Sequence, residues 1–124
     1  MSKCKTKDSR RKSSISVVPT FTATIYVGLR TKRMVYPKAL ATQAIRQYVD
    51  KVGLCVSITD LDYIFPGGNE PGLAVGLINY PRFPKSPEDI KRYALEMAGI
   101  LREILDQKRV SIVMPNETIM IGDP

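Results

Sequence analysis

FTATIYVGLR, residues 21 to 30, alternates without a break, with Phe21, Ala23, Ile25, Val27 and Leu29 on one side and Thr22, Thr24, Tyr26, Gly28 and Arg30 on the other. A period of two is that of a strand with one face in a core. Downstream the period changes. After Pro37, Leu40, Ala41, Ala44, Ile45, Tyr48 and Val52 recur at three- and four-residue spacing, and Gly53 stands where a left-handed cap is wanted. A helix is therefore expected over about 37–52. Leu54, Val56 and Ile58 restore the alternation, with Cys55, Ser57 and Thr59 on the reverse side, continuing less regularly to Ile64.

The run PGGNEP, residues 66 to 71, collects turn formers and reads as the tip of a long hairpin. A third strand follows, with Leu73, Val75 and Leu77 inward and Ala74, Gly76, Ile78 and Tyr80 reversed. Pro81 and Pro84 stop it. Ser86, Pro87, Glu88 and Asp89 then supply an N-cap, a proline at the first helical position and two carboxylates at the positive end of the helix dipole. Ile90, Ala94, Met97, Leu101 and Leu105 mark the apolar face of this second helix, which is expected to reach about Gln107. Val110, Ile112 and Met114 form a fourth strand, Pro115 and Asn116 interrupt, and Thr118 to Ile121 read as one more short extended piece.

Strand, helix, strand, strand, helix, strand resembles the ferredoxin-like split βαβ superfold by topology. The expected class is α+β, a βαββαβ sandwich over residues 20–115. It has a four-stranded antiparallel sheet in the order 4-1-3-2, two helices on one face and a C-terminal extension over 116–124. A superfold says little about activity. In size and style the chain also resembles the small proteins of bacteriophage genomes, which implies a host-cytoplasmic location.

The 124 residues fit one domain, and 44% hydrophobic with 25% charged residues is a globular composition. Nineteen Lys and Arg against twelve Asp and Glu give +7. Much of that charge lies at the start: Lys3, Lys5, Lys7, Arg10, Arg11 and Lys12 face only Asp8. Residues 1–19 are read as a basic flexible arm, either solubilising or a salt-sensitive contact for nucleic acid or another polyanion. Histidine is absent, which removes Ser-His-Asp and Cys-His activation, and no cofactor or metal is expected. Cys4 and Cys55 do not make a disulfide framework. No apolar leader and no membrane-length run is visible, so a soluble intracellular protein is expected.

The topology leaves one sheet face bare, and Thr24, Tyr26, Ser57, Gly76, Ile78 and Tyr80 are its expected contact residues. Small residues there let another layer approach, which favours a homo-oligomer through this face or an edge, with the Thr118–Ile121 tail adding a strand to a neighbour. The alternative is a face covered by the chain's own terminal segments. Tyr26 and Tyr80 occupy the strands where RNA-recognition domains stack bases, but the third strand, GLAVGLINY, lacks their aromatic motif.

Two ends of the sandwich collect charge. Arg30, Lys32 and Arg33 are expected near Glu70 and the first helix, where an anionic ligand would fit, although a solvated loop with Glu70 neutralising a basic neighbour explains the same residues. Arg82 and Lys85 precede the Ser86 cap, and Arg82 is in reach of Glu88 or Asp89. Asp60 and Asp62 could share a face as paired carboxylates, but read more simply as solvent-facing charges. Acylphosphatases share the topology, yet Gly28 to Arg33 lacks their glycine-rich loop ending in Phe-Arg; a tautomerase needs a proline where this chain has Ser2. The leading expectation is a non-enzymatic adaptor that self-associates and engages a polyanion through its arm. Its rivals are an anionic-ligand or enzymatic site at the Arg30, Arg33 and Glu70 end, and a phage virion or assembly component.

Overall fold

The computed structural model describes residues 12–124. The order is β1 (Thr22–Gly28), α1 (Lys38–Val52), β2 (Val56–Phe65), β3 (Gly68–Ile78), α2 (Pro87–Ile104), β4 (Arg109–Val113) and β5 (Thr118–Gly122). The chain is an α+β protein with one sheet in the order β2-β3-β1-β4-β5, every neighbouring pair antiparallel. The alternation places Ala23, Ile25 and Val27 of β1, Leu73, Val75 and Leu77 of β3 and Val110 and Ile112 of β4 in one continuous core with Ala41, Ile45 and Tyr48 of α1 and Ile90, Met97 and Leu101 of α2. Both helices thus cover the same side.

Local signals set the helix ends. Ser86 Oγ accepts a hydrogen bond from Asp89 N at 3.1 Å, closing the cap of α2. Gly53 takes φ 77° and its N–H donates to Val49 O, closing α1. The two helices are joined by the Tyr48 hydroxyl, which donates to Glu96 Oε1 at the margin of the core.

Two expectations are corrected. The sheet has five strands, not four, because the C-terminal piece pairs with β4 of its own chain from Arg109↔Gly122 to Val113↔Thr118 rather than with a neighbour. The hairpin is also longer and tighter than its six-residue tip suggests. Phe65 pairs with Gly68, leaving only Pro66 and Gly67 in the turn, and Gly67 takes φ 83°. Asn69, Glu70 and Pro71 are therefore strand residues.

Candidate active site

That shift in the hairpin decides the site. Once β3 starts at Gly68, Glu70 has the same parity as Gly72, Ala74 and Gly76, so it lies on the face away from the helices. The β2–β3 register sets it opposite Tyr63, which shares that face with Leu61. Across β3 on the other side, Gly72 pairs with Gly28, and Tyr26 pairs with Ala74. One corner of the uncovered sheet thus brings together a carboxylate, two phenols and two glycines from three strands.

The glycines matter because of what lies over them. A Cβ on Gly28 would sit 2.9 Å from Glu70 Oε1 and 3.0 Å from Gln107 Oε1. A Cβ on Gly72 would overlap the Tyr63 ring and approach Val27 O to 2.8 Å. Bare backbone therefore forms the floor of the corner, with Glu70, Tyr63 and Gln107 arranged above it. Gln107 arrives from the turn after α2, where Asp106 takes φ 52°, and its Nε2 donates to Arg30 O at 3.1 Å and Leu105 O at 3.0 Å.

Burial is the main cause that pushes the Tyr63 hydroxyl up to about 12, with the negative charge of Glu70 and then Tyr26 adding to it. The phenol thus keeps its proton at neutral pH and serves as a donor rather than a base. Glu70 is half-buried, and among the described residues no hydrogen-bond donor or cation reaches its carboxylate. A partly desolvated carboxylate with no such partner, set across the ladder from a tyrosine ring, suits a cationic ligand.

The other expected site residues are dispersed. Lys3, Lys5, Lys7, Arg10 and Arg11 lie outside the described residues, and Lys12 is exposed. Arg30, Lys32 and Arg33 sit on an exposed turn held by Thr31, whose Oγ1 accepts from Arg33 N and Met34 N, each at 3.2 Å. Among the described residues no ion pair joins Arg30 or Arg33 to Glu70, so the neutralised-loop reading of Glu70 does not hold. Arg82 lies over the Phe83 ring at 5.6 Å, while Asp89 pairs with Arg92 at 3.1 Å instead. Lys85 donates its backbone N–H to Asn79 Oδ1 at 2.9 Å. Asp60 and Asp62 point to the helix side, where Asp60 pairs with Lys38 at 2.8 Å, with both side chains well exposed.

On the uncovered face, Thr24, Tyr26, Ser57, Gly76 and Ile78 keep the expected parity, and Tyr80 is hydrogen-bonded to Cys55. Tyr63, Glu70 and Gln107 were not placed on this face from sequence. The signal that could have found the first two was present: Leu61 and Tyr63 continue the Cys55, Ser57, Thr59 parity, and counting from a two-residue Pro-Gly turn puts Glu70 opposite Tyr63.

No family model matches the sequence, and no curated protein does either. Solved structures do. A phage SAM lyase in its apo state superposes with a TM-score of 0.70 at 18% identity, covering 83% of this chain and 89% of that one. The fold is shared with phage SAM lyase. A phage SAM lyase in complex with S-methyl-5'-thioadenosine gives a TM-score of 0.68 at 16% identity, covering 91% of this chain and 97% of its own. Likeness at this identity is one of fold, and the neighbours being phage proteins agrees with the phage-type resemblance. Their being enzymes overturns the expectation of a non-enzymatic adaptor. Among the described residues no helix is long and apolar enough to cross a membrane.

Proposed function

We propose that this chain is an enzyme that cleaves S-adenosylmethionine as a lyase, releasing S-methyl-5'-thioadenosine, at the Glu70, Tyr63 and Tyr26 corner of the uncovered sheet face. The observation that carries the reading is the half-buried Glu70 carboxylate across the ladder from the Tyr63 phenol and over bare glycines, with no donor or cation on it among the described residues, in a fold shared along nearly its whole length with two SAM lyase structures. The methionine end of the substrate carries a sulfonium, an ammonium and a carboxylate, net +1, and a carboxylate beside an aromatic ring is complementary to its cationic groups.

The chemistry asks little of acids or bases. When the bond between sulfur and the aminobutyryl carbon breaks, its electron pair goes to sulfur and the leaving group is a neutral thioether that needs no proton. In a lyase the electrons that satisfy the four-carbon fragment come from the substrate itself: an oxygen of its own carboxylate forms the new bond to that carbon as the thioether leaves, closing a lactone, so no water is consumed and no proton is transferred. The protein's task is then to hold one conformation and exclude solvent, for which a sheet floor with half-buried side chains is suited. Tyr63, kept protonated, donates to an oxygen of the substrate and does not take a proton.

The test is direct. Full-length protein incubated with S-adenosylmethionine is expected to yield S-methyl-5'-thioadenosine by liquid chromatography. Glu70→Ala is expected to lower kcat/KM by at least about a hundredfold, since losing one member of a desolvated charge pair costs ~3 kcal/mol. An intact substrate after prolonged incubation with folded protein would overturn the reading.

A further inference from the structure

The chain leaves α2 through the left-handed Asp106, and one residue holds it just before and just after Gln107. The Gln107 N–H donates to Arg102 O at 2.9 Å, and the next carbonyl, Lys108 O, accepts from Arg102 Nε at 3.2 Å. The same guanidinium sends Nη2 to Asp123 Oδ1 at 3.3 Å, and Asp123 donates its own N–H to Lys108 O at 3.0 Å. Nε and Nη2 lie along one edge of a planar fork, so a single rotamer meets the carbonyl and the carboxylate together, which a lysine ammonium does not reproduce. Both lone pairs of Lys108 O are then occupied. Gly122 lets the strands close on that oxygen, because a Cβ there would lie 2.0 Å from it.

We infer that Arg102 and Asp123 are positioning residues for the reaction, their paired side chains setting the backbone that presents Gln107 to the corner. This rests on the reading of the chain as a lyase of S-adenosylmethionine at that corner. Arg102 belongs to the helix layer, so it acts through Gln107 rather than on the substrate. The pair contributes little to stability, since the two side chains are 30% and 60% exposed and an ion pair so wet is largely offset by lost hydration. What it fixes is direction. Gln107 reaches Arg30 O, seventy-seven positions away, through a flexible side chain, so a small rotation of its backbone is magnified at the amide. Displacement of a site group by about 1 Å is enough to cost a large factor in rate. A second bridge provides the contrast: Lys91 Nζ meets Glu117 Oε2 at 2.9 Å, tying α2 to the turn between β4 and β5, at the end of that hairpin far from Gln107.

The experiment measures kcat/KM of the full chain on S-adenosylmethionine, with thermal melts on the same preparations. Asp123→Ala and Arg102→Lys are each expected to lower kcat/KM at least fivefold with only a small change in melting. Lys91→Ala, which breaks the other bridge, is expected to shift melting by a similar amount and to leave kcat/KM within twofold. A double-mutant cycle separates positioning from mere structure. In a Gln107→Met background, already slowed, Asp123→Ala is expected to change kcat/KM by less than twofold while shifting the melt as before. If Arg102→Lys does not fold, Asp123→Ala carries the test. Equal factors in both backgrounds, an Asp123→Ala protein no slower than Lys91→Ala, or an unslowed Gln107→Met overturns the positioning role and leaves the lyase reading standing. If the unmodified, folded protein leaves S-adenosylmethionine intact, the functional reading falls and the positioning role falls with it.

Discussion

Tyr63 stands directly across the β2–β3 ladder from Glu70, on the side of the sheet the helices leave bare. The pairing couples a phenol to a carboxylate, and both are withdrawn enough from water that the phenol holds its proton to about 12. Folding therefore favours the neutral tyrosine.

The pH dependence follows with a definite sign. Between the ordinary tyrosine value of 10.0 and about 12, the unfolded chain has released the Tyr63 proton and the folded chain has not. Stability from this group is complete below pH 10 and is lost as pH rises through that window. Denaturant melts at pH 8 to 12 should show Tyr63→Phe losing less stability than the unmodified protein over that range. Parallel curves would remove Tyr63 from the buried corner.

Gly72→Ala places a methyl against the Tyr63 ring and near the Val27 carbonyl. The expected outcome is a folded protein destabilised by about 1–3 kcal/mol. Cleavage should also slow through displacement of Tyr63, read by chemical melts and turnover on the same preparation.

Gly122 takes φ 135°, and a Cβ there would overlap Lys108 O. Gly122→Ala should pry the end of β5 from β4, seen as faster amide hydrogen exchange at Ile119 and Ile121 with the β1–β3 amides unchanged.

Two polar contacts test the helix layer. Ser86→Ala removes the acceptor for Asp89 N and should cost about 1 kcal/mol. Tyr48→Phe deletes the donor to Glu96 and should cost a similar ~1 kcal/mol by the same thermal melts, without changing turnover, because the bond joins the helices and Glu70 lies on the opposite face of the sheet.

Much of the fold was legible because the core is built from unbroken patterns. The Ala23, Ile25, Val27 alternation and the Ile90, Ala94, Met97, Leu101 stripe have no competing reading, and every one of those residues is buried. The Ser-Pro-Glu-Asp cap placed the start of α2 correctly. The site was not legible, and the reason is local. Pro66, Gly67, Gly68, Asn69 and Pro71 are all poor strand formers, so Glu70 among them reads as loop. Pairing with β2 overrides that preference, since Gly68 to Pro71 are carried in the ladder by Phe65 back to Asp62. Gln107 was hidden differently. Only the left-handed Asp106 after α2 turns its side chain back toward β1, a contact seventy-seven positions away in the chain that no periodicity encodes.

The two-residue turn at Pro66 and Gly67 works as a counter. Each strand position reverses direction from the last, so adding a single amino acid between Phe65 and Glu70, without a compensating bulge, would swing the carboxylate to the α-helical side and bring Asn69 in its place. Adding two would bring an acid back to the open side, one rung displaced from its tyrosine. The length of this tip, more than its composition, sets whether the corner has a negative charge at all.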